Sequence, residues 1–491
     1  VQENLTPFIE LKENLWKTSK SLLAPKMIIE CVEKSISASF EEGQKFESDT
    51  FSKLEKSDQS KGLIHSFFAE RRSSKIPEGS KANPRIIHKL GVIGGGTMGS
   101  GISVAALNAG LEVTMIEQDS QSLAKGRFRV EKVFNRDVEK QRISELQKDE
   151  ILKKYKTSTE YSALSNVDMV IEAVFEEMDI KKAVFKELDK CIKRGAVLAS
   201  NTSYLDINQI AAVTKRPEDV IGLHFFSPAN IMKLLEIIVP EKVSDDVVAT
   251  GFSLAKIMRK VPVRSGMCDG FIGNRILNKY ADVASFMMED GATPYEIDDA
   301  IKEFGYPMGV HQMFDLAGGD IMWAKRKRQE VTRDKNSRYV KIADRLCENG
   351  WFGQKTGRGF YRYDTGDRRG AIDPEVLEII DDERQRRKIK TKVFSSKEII
   401  RRYMASMINE AANVVYEGIA LRPSDVDVTK LHGYGFPRYR GGPMKYADTY
   451  GLEKLLTDLR EFEAEDPLFW RPSPLIVRLV EEGNDFDSLN H

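Results

Sequence analysis

The feature that most constrains how this chain can fold is a glycine run set between a predicted strand and a predicted helix. Gly94-Gly95-Gly96-Thr97-Met98-Gly99 fits G-x-G-x-x-G; it follows the apolar run Leu90-Gly91-Val92-Ile93 and leads into a helical stretch from Ser100 to Asn108. A second apolar run, Val113-Thr114-Met115-Ile116, ends on the acidic Glu117. The loop alone is a weak signal, but with strand, helix and distal carboxylate in place it reads as a dinucleotide-binding fingerprint. Gly94 would allow the tight turn, Gly96 the approach of backbone to a pyrophosphate, and Gly99 close packing of helix on strand. The helix N-terminus offers N–H groups to phosphate. Glu117 would accept from ribose hydroxyls and repel a 2′-phosphate, so NAD is expected rather than NADP. The plainer alternative is a glycine turn without a ligand.

Further apolar runs at Met169-Val170-Ile171, Ala196-Val197-Leu198-Ala199 and Val220-Ile221-Gly222-Leu223 alternate with helical segments. That alternation predicts a doubly wound parallel sheet covered on both faces, a Rossmann-type domain. The polar, Lys/Arg-rich stretch 127–155 has helical periodicity and reads either as a solvated hairpin or as a grip on a ligand phosphate. After Gly270 helices dominate and the pattern repeats. Glu289-Asp290-Gly291, Asp298-Asp299 and Gly305-Tyr306-Pro307-Met308-Gly309 return in order as Tyr416-Glu417-Gly418, Asp425-Val426-Asp427 and Gly433-Tyr434-Gly435-Phe436-Pro437. The repeat is too long for a solenoid and implies two related helical domains. The expected fold class is α/β plus all-α. It divides into a helical linker at 1–86, the NAD domain at 87–270, a first helical domain with a charged connector at 271–391, and its repeat at 392–491. A Ser/Lys/Pro/Gly-rich connector at 72–80 closes the linker.

Composition removes several classes of function. Lys plus Arg and Asp plus Glu both number 75, so no bulk positive charge favours nucleic acid. The four cysteines lie far apart in no metal-ligand spacing, as reduced intracellular thiols would, and no metal is expected. No apolar run reaches the roughly 18 residues of a membrane span. The start, Val1-Gln2-Glu3-Asn4, has no initiator Met or signal-peptide pattern and is read as a cut end.

Among six histidines, His224 stands out at the end of the run Ile221-Gly222-Leu223-His224-Phe225-Phe226. A lone His beside aromatics is more often a core residue, but ligands of open α/β sheets sit beyond the carboxyl ends of the strands. Glu236 lies twelve positions on, inside the apolar run Lys233–Val239, where a carboxylate needs a partner. Pairing with His224 would meet that need and hold the imidazole in one tautomer. Ser200-Asn201-Thr202-Ser203 closes another strand; it offers hydroxyls to a substrate oxygen or, alternatively, caps a helix starting near Asp206.

The glycine loop, Ser200–Ser203, His224-Phe225-Phe226, Met232-Lys233-Leu234-Leu235-Glu236 and Gly270-Phe271-Ile272-Gly273-Asn274-Arg275 stand in the order and spacing of the 3-hydroxyacyl-CoA dehydrogenases, which the chain resembles over about residues 88 to 450. The resemblance implies that His224 takes the proton of a 3-hydroxyl, that Glu236 orients it, and that Ser203 and Asn274 bond the substrate. It places Glu176 and Lys181 near the cofactor. The implied reaction is NAD-dependent oxidation of an (S)-3-hydroxyacyl-CoA to the 3-ketoacyl-CoA. The repeated helical half is similar to the dehydrogenase part of the multifunctional β-oxidation enzymes of the peroxisomal type 1. Residues 24–76 resemble the end of the hydratase that precedes it there, whose own catalytic residues are absent here. Single-function relatives pair their helical domains between subunits; two copies on one chain imply a monomer with an internal pseudo-dimer. Two departures from the family pattern are Ser227 after His-Phe-Phe and Val310-His311 in place of Pro-Phe. The resemblance implies a soluble peroxisomal protein, although Ser488-Leu489-Asn490-His491 is no Ser-Lys-Leu signal; otherwise a cytoplasmic one is expected. Two other readings remain open: a non-catalytic NAD-binding regulatory module, and a dehydrogenase of small hydroxy acids without coenzyme A.

Overall fold

The computed structural model describes residues 6–19, 21–75, 81–363, 366–367 and 369–491. Expectations about the first residues, about 76–80 of the first connector and about 364, 365 and 368 of the second lie outside the described residues. Four helices open the chain: α1 (Thr6–Ser19), α2 (Leu23–Ser37), α3 (Phe40–Glu55) and α4 (Asp58–Ser73). The sheet comprises β1 (Lys89–Ile93), β2 (Glu112–Ile116), β3 (Tyr155–Ser158), β4 (Met169–Glu172), β5 (Val197–Ser200), β6 (Val220–Phe225), β7 (Leu234–Ile238) and β8 (Val261–Ser265). Between its strands run α5 (Thr97–Asn108), α6 (Ser120–Glu139), α7 (Glu145–Leu152), α8 (Met178–Cys191), α9 (Ile207–Ala211) and α10 (Asp245–Ile257). Among the described residues every later element is helical apart from isolated bridges. The α/β class with a helical remainder is therefore what the structure shows.

The chain divides into two compact units. One holds the sheet: Phe68–Arg275, Asn413–Tyr434 and Leu489–His491. Its strand order is β3-β2-β1-β4-β5-β6-β7-β8, parallel throughout except for the antiparallel β6–β7 pair. Successive residues of a strand point to opposite faces, and here both faces are covered, which is why the strands read as unbroken apolar runs. Leu90 and Val92 of β1 pack with Ile102, Val130 and Phe134 on one face; Ile93 packs with Val170, Phe185 and Leu188 on the other. The order reverses between β1 and β4, the switch point at which such sheets bind ligands beyond their carboxyl ends. The stretch 127–155 forms most of α6, all of α7 and the start of the edge strand β3, which its polar composition conceals.

The other unit holds the chain up to Phe67 together with Ile276–Ala412 and Gly435–Ser488. Its helices are α11 (Gly273–Asp290, which begins in the sheet unit), α12 (Pro294–Phe304), α13 (Val310–Ala317), α14 (Gly319–Gln329), α15 (Ile342–Glu348), α16 (Pro374–Arg386), α17 (Ser396–Tyr416, which ends in the sheet unit), and, after α18 (Pro423–Gly433) in the sheet unit, α19 (Pro443–Tyr450), α20 (Leu452–Glu463) and α21 (Pro474–Glu482). The sequence marks α12 plainly. Thr293 and Glu296 form a capping box, Pro294 supplies the first residue, and Gly305, at φ +125°, ends the helix. Within this unit the two copies of the repeat share an aromatic core. Tyr280 lies 4.9 Å from Tyr403, and Tyr306 lies 6.3 Å from Tyr403 and 5.6 Å from Phe436, centroid to centroid. Val310-His311 is accommodated by hydrogen bonding: buried His311 shares a bond of 2.9 Å between Nδ1 and Asp298 Oδ1, and Tyr361 donates to the other oxygen of Asp298.

Candidate active site

The glycine loop lies at the carboxyl end of β1. Gly94 has φ +97°, a conformation that a side chain strongly disfavours, and a Cβ at Gly99 would stand 1.8 Å from Gly94 O, so both positions require glycine. A Cβ at Gly96 would meet nothing within 4 Å, so the loop leaves open space where a pyrophosphate would lie. Gly96 is also the N-cap of α5 and no side chain caps that helix, so its first N–H groups are left for an anion. Glu117 turns back on the loop: Oε1 accepts the Gly95 N–H at 2.6 Å and Oε2 the Gln118 N–H at 3.1 Å. Arg129 Nη1 donates to Gly95 O at 2.9 Å. The residues thus fit a dinucleotide: an open cradle, an uncapped helix and a carboxylate already seated at the loop.

His224 and Glu236 are brought together by strand register. They face each other across the antiparallel β6–β7 pair, and Nδ1 lies 2.7 Å from Glu236 Oε2. Both side chains are buried. Burial of a carboxylate is costly unless its oxygens are bonded, and here the second oxygen, Oε1, accepts the Gly273 N–H at 2.9 Å. Gly273 begins α11, so the positive end of that helix also favours the charge. Phe226 and Phe271 flank the imidazole at 4.4 and 5.7 Å between centroids. Nε2 is the ring nitrogen that Glu236 leaves unengaged.

The loop after β5 is held by carboxylates. Glu176 Oε1 accepts from Thr202 Oγ1 at 2.6 Å and from the N–H groups of Ser203 and Tyr204 at 2.8 and 3.2 Å. The Ser203 hydroxyl bonds none of the described residues. Lys181 is buried on Glu172 Oε1 at 2.6 Å, with Glu176 Oε2 at 3.4 Å, and Ser200 donates to Glu172 Oε2 at 2.6 Å. Glu176 and Lys181 therefore form one polar cluster that shapes the Ser200–Ser203 turn. The capping alternative for that turn is corrected by the structure: Asp206 caps α9, and Thr202 Oγ1 instead accepts the N–H of Leu205. Sequence reasoning missed Glu172 and Asn201, whose Oδ1 accepts the Phe225 N–H at 2.8 Å. The signal for Glu172 was there: like Glu236 within β7, it is a lone carboxylate in an apolar strand, here at the end of β4.

Asn274, second residue of α11, has its Oδ1 bonded by the Tyr434 hydroxyl at 2.8 Å. Burial pushes the nearby Cys268 thiol up to about 11, which leaves it un-ionised at neutral pH and no nucleophile. Among the described residues no His, Cys, Asp and Glu cluster could hold a metal, and no helix is long and apolar enough to cross a membrane.

Comparison with known proteins identifies the family. The family model described as 3-hydroxyacyl-CoA dehydrogenase, NAD binding domain, matches residues 89–268. The model for the C-terminal domain of the same family matches twice, at 270–363 and 399–485. The chain is 40% identical to the peroxisomal bifunctional enzyme of Danio rerio over 95% of its own length and 67% of that protein's. It is 39% identical to the Homo sapiens enzyme of the same name, over 94% and 66%. It thus spans about two thirds of the length of these relatives. The dehydrogenase part of multifunctional enzyme 1 from C. elegans superposes with a TM-score of 0.63 at 28% identity, covering 84% of this chain and 96% of that one. The 3-hydroxybutyryl-CoA dehydrogenase of Escherichia coli gives 0.70 at 25% identity, covering 81% and 100%. With an NAD-binding domain and two C-terminal-domain matches accounting for most of its length, the chain belongs to the 3-hydroxyacyl-CoA dehydrogenase family of NAD-dependent oxidoreductases.

Proposed function

We propose that the chain oxidises (S)-3-hydroxyacyl-CoA to 3-ketoacyl-CoA in fatty-acid β-oxidation, with His224 as general base. The observation that carries this reading is the buried His224–Glu236 pair at the carboxyl end of β6, the same edge of the sheet as the glycine loop. Nε2 of His224 takes the proton of the 3-hydroxyl, and Glu236 stabilises the imidazolium that results. NAD⁺, when bound, accepts the hydride from C3. Gly94, Gly96 and Gly99 shape its phosphate cradle, Glu117 selects against a 2′-phosphate, and Glu176 with Lys181 supports the turn beside it. Ser203 and Asn274 hold the substrate oxygen.

The names of the Danio rerio and Homo sapiens relatives support a peroxisomal setting. The shared aromatic core of the two helical copies supports a monomer, because it buries internally a surface that one copy alone would offer to a partner. The test is NADH absorbance with acetoacetyl-CoA. Turnover that His224→Ala lowers by orders of magnitude is expected. Equal turnover of free acetoacetate would favour a dehydrogenase of small hydroxy acids, and NADH binding without turnover a regulatory module.

A further inference from the structure

A side chain of the second helical copy reaches the candidate site. Tyr434, just past the end of α18, donates its hydroxyl to Asn274 Oδ1 at 2.8 Å. Its ring meets Phe226 edge-on, 5.5 Å between centroids, and Phe226 in turn lies 4.4 Å from the His224 ring. Lys430, wholly buried on α18 one turn earlier, sets its ammonium 3.7 Å from the centre of the Tyr434 ring. Two glycines make room for this contact. A Cβ at Gly273 would stand 2.4 Å from the Tyr434 hydroxyl, and one at Gly433 would stand 2.6 Å from Leu234 Cδ2 and 3.4 Å from the Phe226 ring. The ring is therefore fitted against the first turn of α11, whose Gly273 N–H holds Glu236.

The geometry carries a chemical consequence. An amide side chain has one accepting end and one donating end. With Oδ1 occupied by the Tyr434 hydroxyl, the group that Asn274 has left for an incoming molecule is its Nδ2–H₂ donor. A carbonyl or alkoxide oxygen needs a donor, whereas an Asn274 turned the other way would present an acceptor and repel it.

We propose that Tyr434 is a positioning residue for the substrate, fixing the amide of Asn274 so that its N–H bonds face the substrate's oxygen. The second helical copy, although it holds neither the glycine loop nor the His–Glu pair, thereby sets the polarity of the substrate pocket. The proposal rests on the reading above that Asn274 contacts the substrate, and its test separates the two.

The full chain is assayed with acetoacetyl-CoA and NADH as wild type, Tyr434→Phe, Asn274→Ala and the double variant. Phenylalanine keeps the ring that Phe226 and Lys430 contact and removes only the hydroxyl. The expected result for Tyr434→Phe is a KM for acetoacetyl-CoA raised roughly three- to tenfold, the worth of one hydrogen bond. The KM for NADH and the thermal midpoint should stay near wild type. In the Asn274→Ala background the same substitution should add nothing, because the two residues act as one unit. An unchanged KM in Tyr434→Phe beside an impaired Asn274→Ala overturns the proposal and leaves the role of Asn274 standing. A Tyr434→Phe effect that persists without Asn274 overturns it as well. A wild-type Asn274→Ala overturns both readings.

Discussion

Tyr306 and Tyr434 stand at the same place in two copies of one helical pattern, in Gly305-Tyr306-Pro307 and Gly433-Tyr434-Gly435, yet their hydroxyls serve different ends. Tyr306 is buried among Phe304, Tyr403 and Phe436, and among the described residues its hydroxyl finds only Met407 Sδ, at 3.7 Å. Burial drives its pKa well above the usual phenol range, as expected of a hydroxyl confined to a packing role. Tyr434 is half-buried and spends its hydroxyl on Asn274. The difference teaches that a duplicated helical domain need not duplicate function. One copy carries Asn274 at the head of α11; the other carries the tyrosine that orients it.

The largest effect should come from the His224–Glu236 pair itself. His224→Ala is expected to lower kcat by a factor on the order of 10²–10⁴, measured by NADH oxidation with saturating acetoacetyl-CoA. Wild-type kcat in that variant would mean the second copy's contacts surround no catalytic base. Glu236→Gln should lower kcat by less and leave the KM for NADH unchanged, since Glu236 touches His224 and α11 and not the glycine loop.

The tyrosines then sharpen the contrast. Tyr306→Phe should leave both kcat and the KM for acetoacetyl-CoA at wild-type values and change stability by no more than about 1 kcal/mol, read from urea unfolding. A rise in KM equal to that of Tyr434→Phe would erase the difference between the copies.

Quaternary structure tests the same contrast at the level of domains. If the copies satisfy each other, sedimentation equilibrium at micromolar protein should give a mass near 55.6 kDa. A mass near twice that would mean the internal pairing does not replace a contact between subunits.

The smallest effect concerns a carboxylate two turns along α11 from Asn274. Asp282 lines a cavity of about 280 Å³ with Asn278, Ser285 and Lys325; its side chain is exposed to that cavity, and desolvation by the surrounding protein raises its pKa to about 6 against the pull of Lys279, Lys325, Arg333 and Arg326. The folded state thus favours the protonated acid. Ionising it costs stability, a cost that appears as pH rises from the ordinary value of 3.8 through about 6. Asp282→Asn should match wild type near pH 4 and exceed it above pH 6 by about 1 kcal/mol, since the side chain opens to cavity water and is screened. A constant difference across that range would refute the assignment. kcat should be unaffected at either pH.

Much of the molecule was legible in the chain because local rules acted alone. The glycine loop was readable since only glycine tolerates φ +97° at residue 94 and a backbone approach at residue 99. The alternating strands and helices were readable from apolar periodicity, and α12 from its capping box. Glu236 could be paired with His224 from sequence because a carboxylate in an apolar run demands a partner and few candidates existed. Other features depend on pairings that no local pattern encodes. The polar strand β3 exists because β2 offers it an edge. Glu172 meets Ser200 only because β4 and β5 lie side by side, and Glu117 turns onto the loop only because β1 and β2 do. Tyr434 and Asn274 are 160 residues apart in the chain. Side chains so distant meet only when the sheet unit closes around both of them. The sequence by itself determined which residues can do chemistry and which strands carry them; tertiary packing decided which oxygen each donor meets, because hydrogen-bond partners are set by three-dimensional proximity and not by spacing along the chain.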